Sequence, residues 1–368
     1  MEKFNIDEYL NNLDENVQYI DLSYKKLLVI PDLKKFKLLE KLDLTGNKIS
    51  IINILPNSII ELNLSQNKIN EINILPINLK KLIISSNKLK HLELLPNDLI
   101  YLDCSLNYLL NLNNLPYLLT HLNCSFNKIM YFDNLPINLI NLNCSHNKLF
   151  ILDKIPIELN ILICNFNRII EINNLPNSLI TLVCSFNKLI ELNNLPDSLI
   201  NLNCSNNKIT CLILPINLKI LSYDNNNINI ISLLPSTLES LSCNNNNIEV
   251  ITLLPSNLLY LSCNNNQISK LYDLPDSLKY LSCNNNQIIK INNIPSNLCK
   301  FYCSNNLLDN LNNLPESLII LCCSNNKIKK LENLPSNIEE LYIYGNLISS
   351  TNIEGLRLRV NILYDYFI

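Results

Sequence analysis

The chain has 368 residues, 48% of them apolar and 17% charged, with a formal net charge of −3. That is enough apolar matter for one large domain or two ordinary ones, and it excludes a disordered chain and one made of membrane-spanning segments. The near balance of charge also argues against a general nucleic-acid coat.

In chain order, the first residues are polar and acidic and lack the hydrophobic core of a signal peptide. An intracellular, cytoplasmic setting is therefore expected (host cytoplasm if the protein is viral), and there the 14 cysteines would stay thiols. Alanine and tryptophan are absent, and the only arginines are Arg168, Arg357 and Arg359. That bias reads as an A/T-rich coding sequence rather than a demand of the fold. Within residues 1–16, Ile6, Tyr9, Leu10 and Leu13 recur at helical spacing and predict a short helical cap. A repeat fills residues 17–350. In residues 351–368, Leu356, Leu358, Val360 and Ile362 alternate like an edge strand and predict a second cap. No Pro/Gly/Ser-rich linker interrupts the array, so a single domain is expected.

The repeat is written in its prolines. Fifteen of the 16 run from Pro56 to Pro335 at a period of 20, with one step of 19 between Pro196 and Pro215. Counted from each proline, Leu or Ile recurs at +3, +6, +13 and usually +16, Cys or an aliphatic residue at +8, and Asn at +11. The asparagine row runs from Asn47 to Asn346, giving sixteen coils plus a degenerate one near Leu22. A fixed period of this length means a solenoid, because each unit exposes apolar residues that only its neighbours can cover. Alternation at +6 and +8 predicts a short strand, with +5 and +7 on the opposite face and strands of successive coils stacked in parallel.

The motif LxxLxCSxNxI, of which Leu99, Leu102, Cys104 and Asn107 form one instance, resembles the leucine-rich repeat. The short proline-containing unit is similar to the 20-residue class of bacterial effectors and to giant-virus and amoebal repeat proteins. This resemblance implies an α/β-type repeat solenoid of mostly β and loop, a curved horseshoe of 16–17 coils with its parallel sheet on the concave side. It implies no particular ligand.

The +11 asparagine amide can satisfy backbone groups of its own turn and of the next coil, which makes the row a hydrogen-bond ladder. Proline suits a convex turn that needs no N–H, and asparagine can take left-handed conformations usually left to glycine. Eleven cysteines share the +8 column with Leu64, Ile84, Tyr223 and Ile343, so they read as buried small hydrophobes. A linear row offers no tetrahedral zinc geometry. His121 and His146 lie on adjacent coils, but Cys124 and Cys144 beside them should point inward, so no Cys–His nucleophile forms. No phosphate loop is present either. The chain reads as a non-enzyme without cofactor or metal.

Function is left to the columns the core does not demand: +5, +7, +9, +10 and +12. At +10 stand Leu106, Phe126, His146, Phe166 and Phe186, giving way to asparagine from Asn206 onward. At +12 run Lys128, Lys148, Arg168 and Lys188. With Tyr101, His121, Ile161, Ile163 and Val183 at +5 and +7, these define a candidate partner-binding patch. Alternatively, the rings pack only on one another and the lysines form a solvated rim. Tyr260, Tyr280, Tyr302, Ile320, Cys322 and Tyr342 make a second, weaker patch. The expected partner is a protein held on the concave face. An anionic partner such as RNA is the alternative, a passive structural component the third reading, and no membrane is expected.

Overall fold

The computed structural model describes residues 4–231, 233–251, 253–331, 334–349 and 362–364. The chain divides into two compact units, Met1–Asn187 and Lys188–Ile368, each holding eight ladder asparagines. In the first unit, strands Tyr19–Asp21, Lys41–Asp43, Glu61–Asn63, Lys81–Ile83, Tyr101–Asp103, His121–Asn123, Asn141–Asn143, Ile161–Ile163 and Thr181–Val183 pair in parallel, each with the next. The second unit repeats this from Asn201–Asn203 to Glu340–Tyr342, with Asn201 facing Ile220 across the short step. This is the parallel-sheet solenoid of a leucine-rich repeat.

In most of these strands the +6 residue alone is committed to the core while its neighbours stay half-exposed, as in Tyr101–Asp103, His121–Asn123 and Asn141–Asn143; in Tyr260–Ser262 and Tyr280–Ser282 the closing serine is buried too. Behind them the +3, +8 and +13 residues and most +16 residues, such as Leu99, Cys104, Leu109 and Leu112, are buried in columns along the stack. Each such side chain contributes about 1.5–3 kcal/mol on burial. All eleven +8 cysteines belong to these columns.

The asparagine ladder forms as expected. Asn107 Nδ2 donates to the carbonyls of Ile84, Cys104 and Ser105 at 3.0–3.1 Å, and its Oδ1 accepts from Leu89 N–H at 3.0 Å. One side chain thus satisfies backbone groups of its own coil and the coil before it.

At the N-terminus the helix spans Ile6–Asn11. Asn5 Oδ1 accepts from Glu8 N–H, and Asn5 Nδ2 donates back to the Glu8 carboxylate, a reciprocal cap. Of the residues at helical spacing, Leu10 is buried and Ile6, Tyr9 and Leu13 are half-buried. At the other end Ile362–Tyr364 forms a strand parallel to Glu340–Tyr342. Leu356, Leu358 and Val360 lie outside the described residues.

The +9 position was expected on the open face, but Ser65, Ser105, Ser125 and Ser145 are buried. In the first unit each +7 Asn or Asp from Asp43 to Asn143, the last strand residue, accepts from the N–H and hydroxyl two residues on, as Asn143 Oδ1 does from Ser145 N (3.1 Å) and Oγ (2.7 Å). In the second unit Asn203 at +7 still accepts from Ser205 N–H, and from Asp224 to Asn284 the acceptor moves to +9. Asn244 Oδ1 accepts from Ser262 Oγ at 2.8 Å and Asn264 N–H at 2.7 Å, and Asn264 repeats this with Ser282 and Asn284. Serine and the amide trade places between +7 and +9 in these coils, so +9 is drawn into the fold rather than left on the open face, although Asn165 Oδ1 and Ser324 Oγ at +9 are buried without a hydrogen-bond partner.

Candidate functional site

Every coil turns sharply after its strand by placing the +10 residue in the left-handed region. Gly46 and Gly345 occupy it at φ +69° and +65°. In the second unit Asn206, Asn225, Asn245, Asn265, Asn285, Asn305 and Asn325 do so, as expected of a glycine substitute. In the first unit the same backbone carries Leu106, Phe126, His146, Phe166 and Phe186, at φ between +52° and +55°. A bulky residue there costs about 1–2 kcal/mol, which glycine avoids and asparagine reduces.

These side chains form one continuous row. The rings of Phe126 and His146 stack at 3.9 Å between centroids, His146 and Phe166 at 4.3 Å, and Phe166 and Phe186 at 4.2 Å, all within 12° of parallel. Leu106, Phe126, Phe166 and Phe186 nevertheless keep 50, 47, 40 and 45% of their surface exposed. Burial between two phenyl rings lowers the His146 pKa, which favours its neutral form.

Beside this row lie the exposed +12 cations Lys128, Lys148 and Arg168. Lys128 Nζ sits 5.1 Å from the centre of the Tyr108 ring. Among the described residues, ion pairs join Lys41 to Glu61 and Lys219 to Glu239, and none involves the +12 cations. Lys188 lies in the second unit.

On the sheet face, Tyr101, His121, Ile161 and Ile163 line one depression of about 180 Å³ with Asn123, Asn141 and Asn143. Tyr101 and His121 stack at 6.0 Å, and His121 Nδ1 lies 2.8 Å from the Thr120 hydroxyl. Val183 pairs opposite Ile163 but does not line the depression.

The weaker patch is likewise a row of stacked side chains. Tyr260 and Tyr280 stack at 4.4 Å, and Tyr280 meets Tyr302 at 5.5 Å. Cys322 faces Tyr302 and Tyr342 across the ladder, with Ile320 at the other end of its strand. Burial, and then the Glu340 carboxylate, push the Cys322 thiol up to about 12, so it stays protonated at neutral pH.

Sequence reasoning missed one row. At +14, Leu110, Met130, Phe150 and Ile170 are 47, 49, 41 and 50% exposed. The signal was available, since the column is polar at Ser50, Asn70 and Lys90 and turns apolar at Leu110, in the coil where +10 turns apolar at Leu106.

Among the described residues no group of three or more His, Cys, Asp or Glu could hold a metal ion, and no helix is long and apolar enough to cross a membrane. A family model described as the FNIP repeat matches residues 166–207. No curated protein sequence matches the chain. Among solved structures, the leucine-rich effector protein YopM from Yersinia pestis is 29% identical, with a TM-score of 0.74, covering 84% of this chain and 89% of YopM. YopM from Yersinia enterocolitica is 27% identical, with a TM-score of 0.70 and coverage of 92% and 90%. CroV588, described as a circular leucine-rich repeat protein, is 30% identical with a TM-score of 0.59. That match covers 84% of this chain and 50% of CroV588, so the chain spans half of that protein. By fold, the chain is a leucine-rich repeat solenoid, and it resembles the bacterial effector YopM and the circular leucine-rich repeat protein CroV588.

Proposed function

We propose that the protein is a non-enzymatic interaction module whose first unit binds a protein partner through the aromatic row and the neighbouring depression. Leucine-rich repeat neighbours support a protein-interaction module in general. The observation that carries the finer reading is the occupancy of left-handed backbone by Leu106, Phe126, His146, Phe166 and Phe186, where the second unit uses asparagine. Stability gives little reason for the choice. Each ring pair contributes about 0.5–1.5 kcal/mol, roughly offset by about 1–2 kcal/mol of backbone strain per residue. Exposed apolar side chains held in disfavoured conformations fit a surface kept for recognition. A reducing intracellular compartment fits the fourteen thiols.

The test is capture from cell lysate by wild type and by Phe126→Asn/Phe166→Asn/Phe186→Asn, once circular dichroism shows that the variant is folded. Wild type is expected to retain a specific protein that the variant loses, while Tyr260→Ser/Tyr280→Ser in the weaker patch retains it. Equal recovery by wild type and the phenylalanine variant would sink the assignment to this row.

A further inference from the structure

The exposed rows of the first unit belong together. In the coil of Asn107, Leu106, Tyr108 and Leu110 are exposed while Asn107 and Leu109 between them are buried, so +10, +12 and +14 emerge on one flank. The coil of Asn127 repeats this with Phe126, Lys128 and Met130; in the coil of Asn147, Lys148 and Phe150 are exposed and His146 is half-buried between its neighbouring rings. Along this flank a basic row runs between two apolar rows. In the earlier coils +10 is Gly46, Gln66 and Ser86 and +14 is Ser50, Asn70 and Lys90, so both apolar rows begin at the same coil. Core packing does not require that coincidence, because neither column is buried.

We infer that this flank receives an acidic, apolar-rich peptide segment of a partner protein, an inference that rests on the function proposed above. Charge complementarity selects that chemistry. Lys148 and Arg168 have no carboxylate partner among the described ion pairs, and they sit between apolar rows that shed water when covered. The rings add to the preference. His146 and Phe166 have both faces covered by their neighbours in the stack, so they offer the outside only their edges. Ring edges carry the positive end of the quadrupole and suit carboxylate oxygens.

The same geometry disfavours other anions. Single-stranded nucleic acid binds by stacking bases on free aromatic faces, and the interior rings have none to give. An anionic bilayer, too broad to be confined to the +12 cations, would also cover Asp133, Glu171 and Asp153, which follow the +14 row at +15 and +17 of the same coils, and would be repelled, whereas a single peptide segment can lie along the cations alone.

The experiment is panning of a phage-displayed random peptide library on the full chain, followed by titration of a synthetic copy of the dominant peptide. Enriched peptides are expected to carry more Asp and Glu than Lys and Arg, interleaved with Leu, Ile or Phe. Binding of the synthetic peptide is expected to weaken about tenfold or more in Lys148→Glu/Arg168→Glu and in Met130→Asn/Phe150→Asn, and to weaken with added salt. Neutral or basic peptides, or an affinity indifferent to charge reversal, would overturn the inference. If such peptides were still lost in Phe126→Asn/Phe166→Asn, the aromatic-row reading would survive its failure. If acidic peptides required Lys148 and Arg168 but not the phenylalanines, the aromatic-row reading would fail instead. Capture of phosphatidylserine vesicles or poly(U) by a chain that enriches no peptide would replace the inference with a bilayer or a nucleic acid.

Discussion

Replacement of Asn147 by alanine is expected to destabilise the first unit by about 3 kcal/mol, from one exchange in a chain of many similar coils. Asn147 Oδ1 accepts from Ile129 N–H at 2.9 Å, while Nδ2 donates to the carbonyls of Cys124, Cys144 and Ser145 at 3.0–3.1 Å. The carbonyls keep other donors, since Asn127 also serves Cys124, Asn167 serves Cys144, and Phe126 N–H serves Ser145. Ile129 N–H keeps none, and a buried unpaired donor costs about 1–3 kcal/mol before the vacated volume is counted. Asn147→Asp sharpens the test because it keeps the shape and the acceptor. It turns a carboxylate oxygen toward carbonyls that received N–H donors, and should be worse than alanine at neutral pH. The exposed neighbour Lys148→Ala should change stability by less than about 0.5 kcal/mol. Denaturant unfolding of the three variants checks the order, and an Asn147→Asp no worse than Lys148→Ala would contradict the ladder.

The second large effect is on alkaline stability. Burial pushes the column thiols of the first unit up, Cys144 and Cys184 to about 12, and Cys104, Cys124 and Cys164 well above the ordinary thiol range. In the unfolded chain these thiols titrate near an ordinary value of about 8.5. Below that pH both states hold the protons and the thiols leave stability untouched. Above it the unfolded chain releases protons that the folded chain keeps, so stability falls as pH rises, by about 1.4 kcal/mol per pH unit for each thiol. Five thiols together give about 7 kcal/mol per unit, enough to unfold an ordinary domain within one or two units. Circular dichroism should therefore show cooperative loss of structure between about pH 9 and 11. A variant with valine at the five column positions should hold its structure to higher pH, because valine is near in size and does not titrate. A wild type and a valine variant that unfold at the same pH would show that the thiols are not buried as described.

The solenoid was legible because it rests on positions that cannot vary without exposing core. Leu102, Cys104, Asn107 and Leu109 repeat in the sequence because each contacts its counterparts one coil away, and periodicity reads out that constraint directly. The candidate residues Phe126, Phe166 and Phe186 were legible as a column, but not the reason they matter. A phenylalanine gives no sign that its backbone is left-handed, which became visible only beside Gly46 and the asparagines sharing that turn. The roles of Ser145 and Asn143 were hidden for a related reason. Short polar residues after a strand fit an open face as well as a closed turn, and only the 2.7 Å contact between them decides. The +14 row of Met130 and Phe150 was harder to read because it lies beyond the strand and its turn, between the core positions +13 and +16.

Urea unfolding of Phe126→Asn/Phe166→Asn/Phe186→Asn beside wild type, read with partner capture on the same preparations, separates a row kept for binding from one kept for packing. A binding row predicts stability within about 1 kcal/mol of wild type, or above it as strain is relieved at three left-handed positions, together with lost capture. A loss of about 3 kcal/mol or more with capture intact would contradict it and make the stacked rings part of the scaffold.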